Sequence, residues 1–346
     1  MKYIPSIVLD FDERVNAMSR LRVAVVGCGW AGSNMHVPSF MEIEDVSLVA
    51  VYNRTREKAL ALSKRCGAKP YSDFDEMLRK EDLDIVDVVT SEDAHFEFTI
   101  KSLEKGAHVL CEKPIVAQRS LYGGYYVTAS DIEKAKKMIK TAEKAGRFLG
   151  INFNYRFSPH ISYLKSLIEK GELGYPIYVN SFAHIACHHH IIDLMRFLIG
   201  EIVELRAKIQ SINGIGENRS LILSFQNGVT GTLASSSLLG WQHFLFKIDY
   251  LGSAEYVIAY DIVGGLVRRP VGGLTETEKR EIKVWMPNIF ERRDFFISFK
   301  RSIEAFVKSV KEDKSPPVTG LDGLRAIQVE AATLESSERG VPIKPY

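Results

Sequence analysis

Gly27-Cys28-Gly29-Trp30-Ala31-Gly32 follows directly on the apolar run Leu21 to Val26 and has G-x-G-x-x-G spacing. In that place one glycine permits a tight turn and the next lets a pyrophosphate approach the backbone. The third lets helix pack on strand, with the amides of the helix N-terminus facing the anion. A dinucleotide is the ligand this pattern predicts. The next strand ends at Tyr52-Asn53-Arg54-Thr55, 21 residues past Gly32, where a carboxylate usually meets the ribose 2′-hydroxyl. Here the position is neutral. Asn53 can still hydrogen-bond a ribose, while Arg54, Thr55 and Lys58 could hold a 2′-phosphate that an aspartate would repel. NADP is therefore expected in preference to NAD; the alternative is that Arg54 and Lys58 form a solvated helix start and either cofactor binds.

A second concentration of chemistry is the run His184, His188, His189 and His190, followed by Asp193. Histidine titrates near neutrality and can pass protons to a substrate oxygen. His184 and His188 are four apart and could share a helical face, with His190, Asp193 or Cys187 nearby, which raises the idea of a metal. Ligands packed so closely in sequence seldom all converge, so no metal is expected, and His184 and His188 read as helix-start or surface residues.

The elements that must position these groups divide the chain in two. From Leu21 to about Gly150, short β-branched runs (LRVAVV, SLVAVY, DIVDVV, HVLCE) alternate with helical stretches, as in a parallel sheet with right-handed crossovers. Ser130 to Glu133 has capping-box spacing ahead of a helix that ends near Gly146, and RFLGINFNYRF looks like the last strand. A helix then runs from Ser158-Pro159 to Lys170. Beyond Tyr175, one more helix near His188 to Ile199 precedes the strand-like runs VELRAKI, SLILSF, VTGTLAS, FLFKIDYLG and EYVIAY. Helices over about 294–311 and 321–339 close the chain. The expected fold class is an α/β Rossmann dinucleotide-binding domain over 21–152, then an α+β domain over 153–346 with a large, mostly antiparallel open sheet. Residues 1–20 form an N-terminal extension without the apolar core of a signal peptide.

Composition excludes several other functions. Forty-five Lys and Arg against 43 Asp and Glu leave a formal charge of +2, too balanced for a sequence-independent grip on nucleic acid. No apolar run is long enough to span a bilayer. Cys28, Cys66, Cys111 and Cys187 lie far apart without a C-x-x-C pair, so a reducing cytoplasm is the expected compartment.

The stretch HVLCEKP, His108 to Pro114, together with the glycine loop resembles the Gfo/Idh/MocA family of NAD(P)-dependent oxidoreductases. Further pieces agree: His36-Val37-Pro38; Thr90-Ser91-Glu92-Asp93-Ala94-His95, similar to a T-P-x-x-x-H segment; Asn154 to Pro159, similar to N-x-R-F-x-P; GELG at Gly171 to Gly174; HIID from His190; and the closing stretch from Gly320. The likeness covers nearly the whole chain from Leu21. It implies a catalytic role for Lys113, which at the end of a parallel strand points into the crevice where ligands of such sheets sit, with Pro114 keeping its backbone extended. Desolvation beside an oxidised nicotinamide would lower its pKa. The resemblance also places Thr90, Ser91, His95 and Glu112 along the cofactor. It makes His190 the active-site histidine, with Asp193 one helical turn away to orient it, and puts Tyr155, Arg156 and His189 around the substrate.

One departure matters. Four residues before that histidine the family carries an aspartate, and here the position is Ala186. The expected function is hydride transfer between nicotinamide and a secondary alcohol or carbonyl of a small polyol, sugar derivative or related ring compound. Lys113 would act as general acid/base with His190 assisting. The alternative is a non-catalytic, nucleotide-binding sensor. An apolar outer face on the second sheet would support a dimer or tetramer.

Overall fold

The computed structural model describes residues 20–241, 244–262, 264–271 and 293–346, so the expected N-terminal extension, but for its last residue, lies outside it. β1 (Leu21–Val26), β2 (Val46–Tyr52), β3 (Lys69–Tyr71), β4 (Ile85–Val88), β5 (His108–Cys111) and β8 (Leu149–Ile151) form one sheet in the order β3-β2-β1-β4-β5-β8, every pair parallel. This is the doubly wound order, with the switch point between β1 and β4. Val23 to Val26 are fully buried because helices cover both faces of the strand.

The helices start and stop where their caps dictate. A π-helical turn, Gly32–His36, runs into α1 (Val37–Met41). α2 (Arg56–Cys66) ends on Gly67 at φ 76°, and α3 (Phe74–Lys80) begins where Asp73 accepts the Glu76 N–H at 2.8 Å. α4 spans His95–Glu104. The capping box of α5 (Ala129–Ala145) lies two residues earlier than the sequence predicted. Thr128 is extended at ψ 167° and Asp131 returns to its N–H at 3.0 Å, leaving Ser130 and Glu133 inside the helix. Between β5 and α5 a small hairpin, β6 (Gln118–Arg119) and β7 (Tyr125–Tyr126), turns back over Lys113.

After α6 (Pro159–Glu169) comes a strand missing from the sequence expectation, β9 (Pro176–His184). It lies at the centre of the second sheet, β10-β11-β12-β9-β13-β14-β15, parallel to β12 and antiparallel to β13. Asn180 and Ser181 break its apolar pattern, yet Asn180 donates to Asp249 and accepts from Thr232 on the neighbouring strands. The remaining strands are β10 (Ile202–Ile212), β11 (Gly216–Phe225), β12 (Thr230–Ser236), β13 (Phe246–Gly252), β14 (Glu255–Tyr260) and β15 (Leu266–Pro270). The outer face expected to be apolar is mixed: Phe182 and Ile222 are exposed, but a ladder of Tyr178, Thr232, Asn180, Asp249 and Tyr256 runs between them.

α7 (His188–Leu198) and α9 (Gly320–Arg339) cover the inner face. The two sheets lie either side of residue 153, but α8 (Arg293–Lys311) crosses back. Its Ile303, Phe306 and Val307 join the core that holds Val23, Val25 and Leu110. No described helix is long and apolar enough to cross a membrane.

Candidate active site

The glycine loop has the geometry its spacing implies. Gly27 sits at φ 121°, where a side chain would strike the Val89 carbonyl at 2.3 Å, and a Cβ on Gly32 would meet the Gly27 carbonyl at 2.1 Å. A Cβ on Gly29 would meet nothing within 4 Å. The outer glycines are thus required by packing, while the middle one leaves the open cradle that a pyrophosphate needs, so the residues present fit a dinucleotide. Trp30 is exposed on the loop with its ring 6.2 Å from Phe295, and Ala31 opens the helix. Asn53 braces the loop by accepting the Cys28 N–H at 3.2 Å, and Arg54, Thr55 and Lys58 are exposed beside it.

Thr90 and Ser91 follow β4 at the same edge. His95 lies behind them: its ring nitrogens face the carbonyls of Pro114 at 2.9 Å and Thr90 at 3.1 Å, and it is fully buried. That corrects its expected place. His95 ties the two loops together and does not line the cofactor groove.

Lys113 follows β5 and is joined to Pro114 by a cis peptide bond. Its side chain crosses to the second domain, where Nζ donates to the Ala186 carbonyl at 3.4 Å and lies 5.5 Å from the centre of the Tyr125 ring. The backbone of the residue that replaces the family's aspartate therefore meets the lysine. Burial works against the charge on Lys113, but Tyr125, Glu112, Cys187 and Glu92 outweigh it and hold the ammonium above its ordinary range. The lowering expected of it is not what the chain's own groups produce.

His190 stacks on Tyr155, rings 3.7 Å apart and 3° from parallel, and the Tyr155 hydroxyl lies 3.3 Å from Cys187 Sγ. Burial, then Lys113 and His189, hold the imidazole well below its ordinary pKa, and its buried Nδ1 has no hydrogen-bond partner among the described residues. A neutral imidazole with a free nitrogen thus stands near a protonated lysine, the separation of acid and base that proton transfer uses.

Asp193 does not orient His190. Both of its carboxylate oxygens are taken by Arg156, Nε at 2.7 Å and NH2 closer still, and Arg156 NH2 also donates to Asp322 at 2.9 Å. Arg156 is buried in this group, which ties α7 to α9. His184 is not on a helix shared with His188: it ends β9, accepts the Ala186 N–H at 3.1 Å and packs its ring on Trp241 at 4.2 Å. No cluster of His, Cys, Asp and Glu among the described residues is arranged to hold a metal ion.

Sequence reasoning missed the carboxylate that does reach the histidines. Glu330 of α9 lies 3.2 Å from His189 Nε2 and 3.7 Å from His188 Nε2, and pairs with the fully buried Arg219. It missed as well the hairpin residue Tyr125, whose hydroxyl donates to Glu92 at 3.1 Å and whose ring packs on His189 at 4.9 Å. No local pattern marks these residues, since their contacts join distant segments.

These buried groups fix how stability responds to pH. Burial opposes a charge on His36, but Asp87 and Glu112 raise it from 6.5 to about 10, whereas burial lowers His188 to about 3. Above pH 6.5 the unfolded chain has lost a proton that folded His36 keeps until about 10, so stability declines as pH rises through that window. Below 6.5 the unfolded chain gains a proton that folded His188 refuses until about 3, so stability also declines on acidification. Urea midpoints measured across the range should peak near pH 6.5; a steady rise with pH would contradict the His36 assignment, and a steady fall the His188 assignment.

Residues 21–153 match a family model described as an oxidoreductase family with an NAD-binding Rossmann fold, and 181–344 match the model of that family's C-terminal alpha/beta domain. The chain is similar to the myo-inositol 2-dehydrogenase of Thermotoga maritima, 25% identical over 94% of this chain and 98% of that one. It is 34% identical to the D-glucoside 3-dehydrogenase of Escherichia coli over 47% of this chain and 43% of that one. Among solved structures, an oxidoreductase from Agrobacterium radiobacter in complex with NAD+, L-tartaric acid and magnesium has a TM-score of 0.76 at 19% identity, over 94% of this chain and 99% of that one, which shows the shared fold. With both domain models matched in order along one doubly wound sheet and one open sheet, the chain belongs to the Gfo/Idh/MocA family of oxidoreductases.

Proposed function

We propose that this protein moves hydride between NADP or NAD and a secondary alcohol or carbonyl of a small polyol, sugar derivative or related ring compound. The observation that carries the reading is the reach of Lys113 from the end of β5 to the histidine run of the second domain, in a chain whose glycine loop is shaped for a dinucleotide. The relatives named for inositol and glucoside oxidation support the substrate class.

Gly27, Gly29, Trp30, Ala31 and Gly32 would hold the cofactor, with Asn53, Arg54, Thr55 and Lys58 at its ribose and Thr90, Ser91 and Glu112 further along. The bound nicotinamide supplies or accepts the hydride. The Lys113 ammonium gives a proton to the substrate oxygen in reduction, and the amine takes the hydroxyl proton back in oxidation, with neutral His190 assisting by positioning that oxygen. Tyr155, stacked on that imidazole, holds it in place.

NADH and NADPH fluorescence titrations, then turnover across a panel of inositols, glucosides and aldoses, test the proposal. Binding without turnover on any of them would instead favour a sensor, the reading that the missing aspartate at Ala186 suggests. Arg54→Ala should weaken NADPH about tenfold, the worth of one charge-assisted contact, and leave NADH within about twofold; equal losses would remove the preference for NADP.

Self-association through the second sheet is part of the same proposal. Ile222, 60% exposed, and Phe182 supply its apolar contacts. Ile222→Glu should shift sedimentation from dimer or tetramer to monomer, and a wild-type protein that is already monomeric at all concentrations would end the idea.

A further inference from the structure

Behind Lys113 lies a buried chain of charged groups whose bonds to one another the hydride-transfer reading does not account for. His36 ends the π-helical turn after the glycine loop, Asp87 lies on β4, Glu112 follows β5 and Asn152 follows β8. These are three adjacent parallel strands and the helix after β1, so the topology itself brings the groups together at the edge where the site lies. His36 Nδ1 is 2.8 Å from Asp87 Oδ2, and Nε2 is 3.0 Å from Glu112 Oε1. His36 and Asp87 are fully buried. Asn152 Nδ2 donates to the same Glu112 oxygen at 2.6 Å, and the other oxygen, Oε2, accepts the backbone N–H of Lys113 at 3.1 Å.

A neutral imidazole carries one N–H and can serve one carboxylate only; its second nitrogen would then turn a lone pair on a buried anion. Flanked on both sides, this ring is satisfied as an imidazolium. The other groups packed on it are the Asn152 amide and the edge of Phe299 from α8, with ring centres 5.5 Å apart.

We propose that Asp87 and His36 are positioning residues for Lys113: Asp87 fixes His36 as an imidazolium at neutral pH, and the imidazolium keeps Glu112 ionised and clamped to the peptide N–H of the lysine. The inference rests on the reading of Lys113 as the proton-transfer residue and adds the machinery that sets its charge. Electrostatics agree with the geometry. Burial alone would raise Glu112, but His36, Lys113 and Asn152 bring it below the usual carboxylate range. Around Lys113 itself stand Tyr125, Glu112, Cys187, Glu92, His189, His190 and the Ala186 carbonyl, and the Glu112 carboxylate is among the groups that favour its charge.

The test needs no substrate, so its failure is distinct from failure of the proposed reaction. In ligand-free, full-length protein with 15N-labelled histidine, His36 should show both ring nitrogens protonated at pH 8; the pattern of a neutral tautomer would overturn the proposal. Reductive 13C-methylation then follows the Lys113 amine, assigned by its absence in Lys113→Arg. In Glu112→Gln, which keeps shape and removes the charge, Lys113 should titrate about one unit lower, a tenfold change in its proton affinity, and His36 should titrate lower as well. Titration curves that superimpose on wild type would show that the chain of charges only fills space. Should Glu112→Gln not fold, the measurement on wild-type His36 still decides.

Discussion

Lys113→Met is expected to leave the chain folded, with NADH affinity within a few-fold of wild type, and to reduce turnover by about 10²–10⁴-fold, the usual worth of a positioned proton donor. Methionine is unbranched and only one atom shorter, so most of the path between β5 and Ala186 stays filled and the loss isolates the ammonium. Among the described residues the Lys113 side chain makes one hydrogen bond, to the Ala186 carbonyl at 3.4 Å, and it is not part of the glycine loop. Binding and turnover should therefore separate. The pH dependence gives a second reading of the same group. Because the lysine is held above its ordinary range, carbonyl reduction should stay level through neutrality and fall only in strong alkali, as the acid is lost. If Lys113→Met retained a third of wild-type turnover, or lost NADH binding and turnover together, another group would have to be the acid.

What the sequence disclosed and what it hid follow from the range of the interactions. The glycine loop and the β5 turn are local: the residues that define each are neighbours, and strand, turn and helix are written in consecutive positions. The parallel sheet was legible for the same reason, through uninterrupted runs such as Val23 to Val26. β9 was not, because its polar Asn180 and Ser181 are paid for by partners on β12 and β13, 52 and 66 residues away. The charged groups behind the site are less legible still. His36 meets Asp87 and Glu112 across 51 and 76 residues, and Arg219 meets Glu330 across 111. Proximity in sequence also misled. Asp193, one turn after His190, has the right spacing to orient it, but Arg156 offers a planar bidentate partner and takes both oxygens.

The largest loss of stability should come from Arg219, whose side chain is fully buried between Glu217, at 2.7 Å, and Glu330. Its NH2 also donates to the Tyr125 carbonyl at 3.1 Å, so it holds the hairpin that lies over Lys113. Arg219→Met would leave two buried carboxylates without their cation, and breaking a buried pair from one side costs about 3–5 kcal/mol. The pH dependence identifies the mechanism. In wild type, burial raises Glu330, but Arg219, His189 and His188 outweigh it and hold the carboxyl near 2, below its ordinary 4.5. Its contribution is therefore present above pH 4.5 and lost as pH falls toward 2. Without Arg219, burial dominates and raises the same carboxyl above 4.5, so the variant takes up a proton on folding and the gap to wild type narrows on acidification. Glu330→Gln added to Arg219→Met should then recover part of the loss at pH 7 and little at pH 4, because the carboxyl it removes is already neutral there. Urea unfolding of the two variants at both pH values measures this. A gap independent of pH, or a second substitution that simply adds its own cost, would mean that Arg219 stabilises the fold through packing and not through charge.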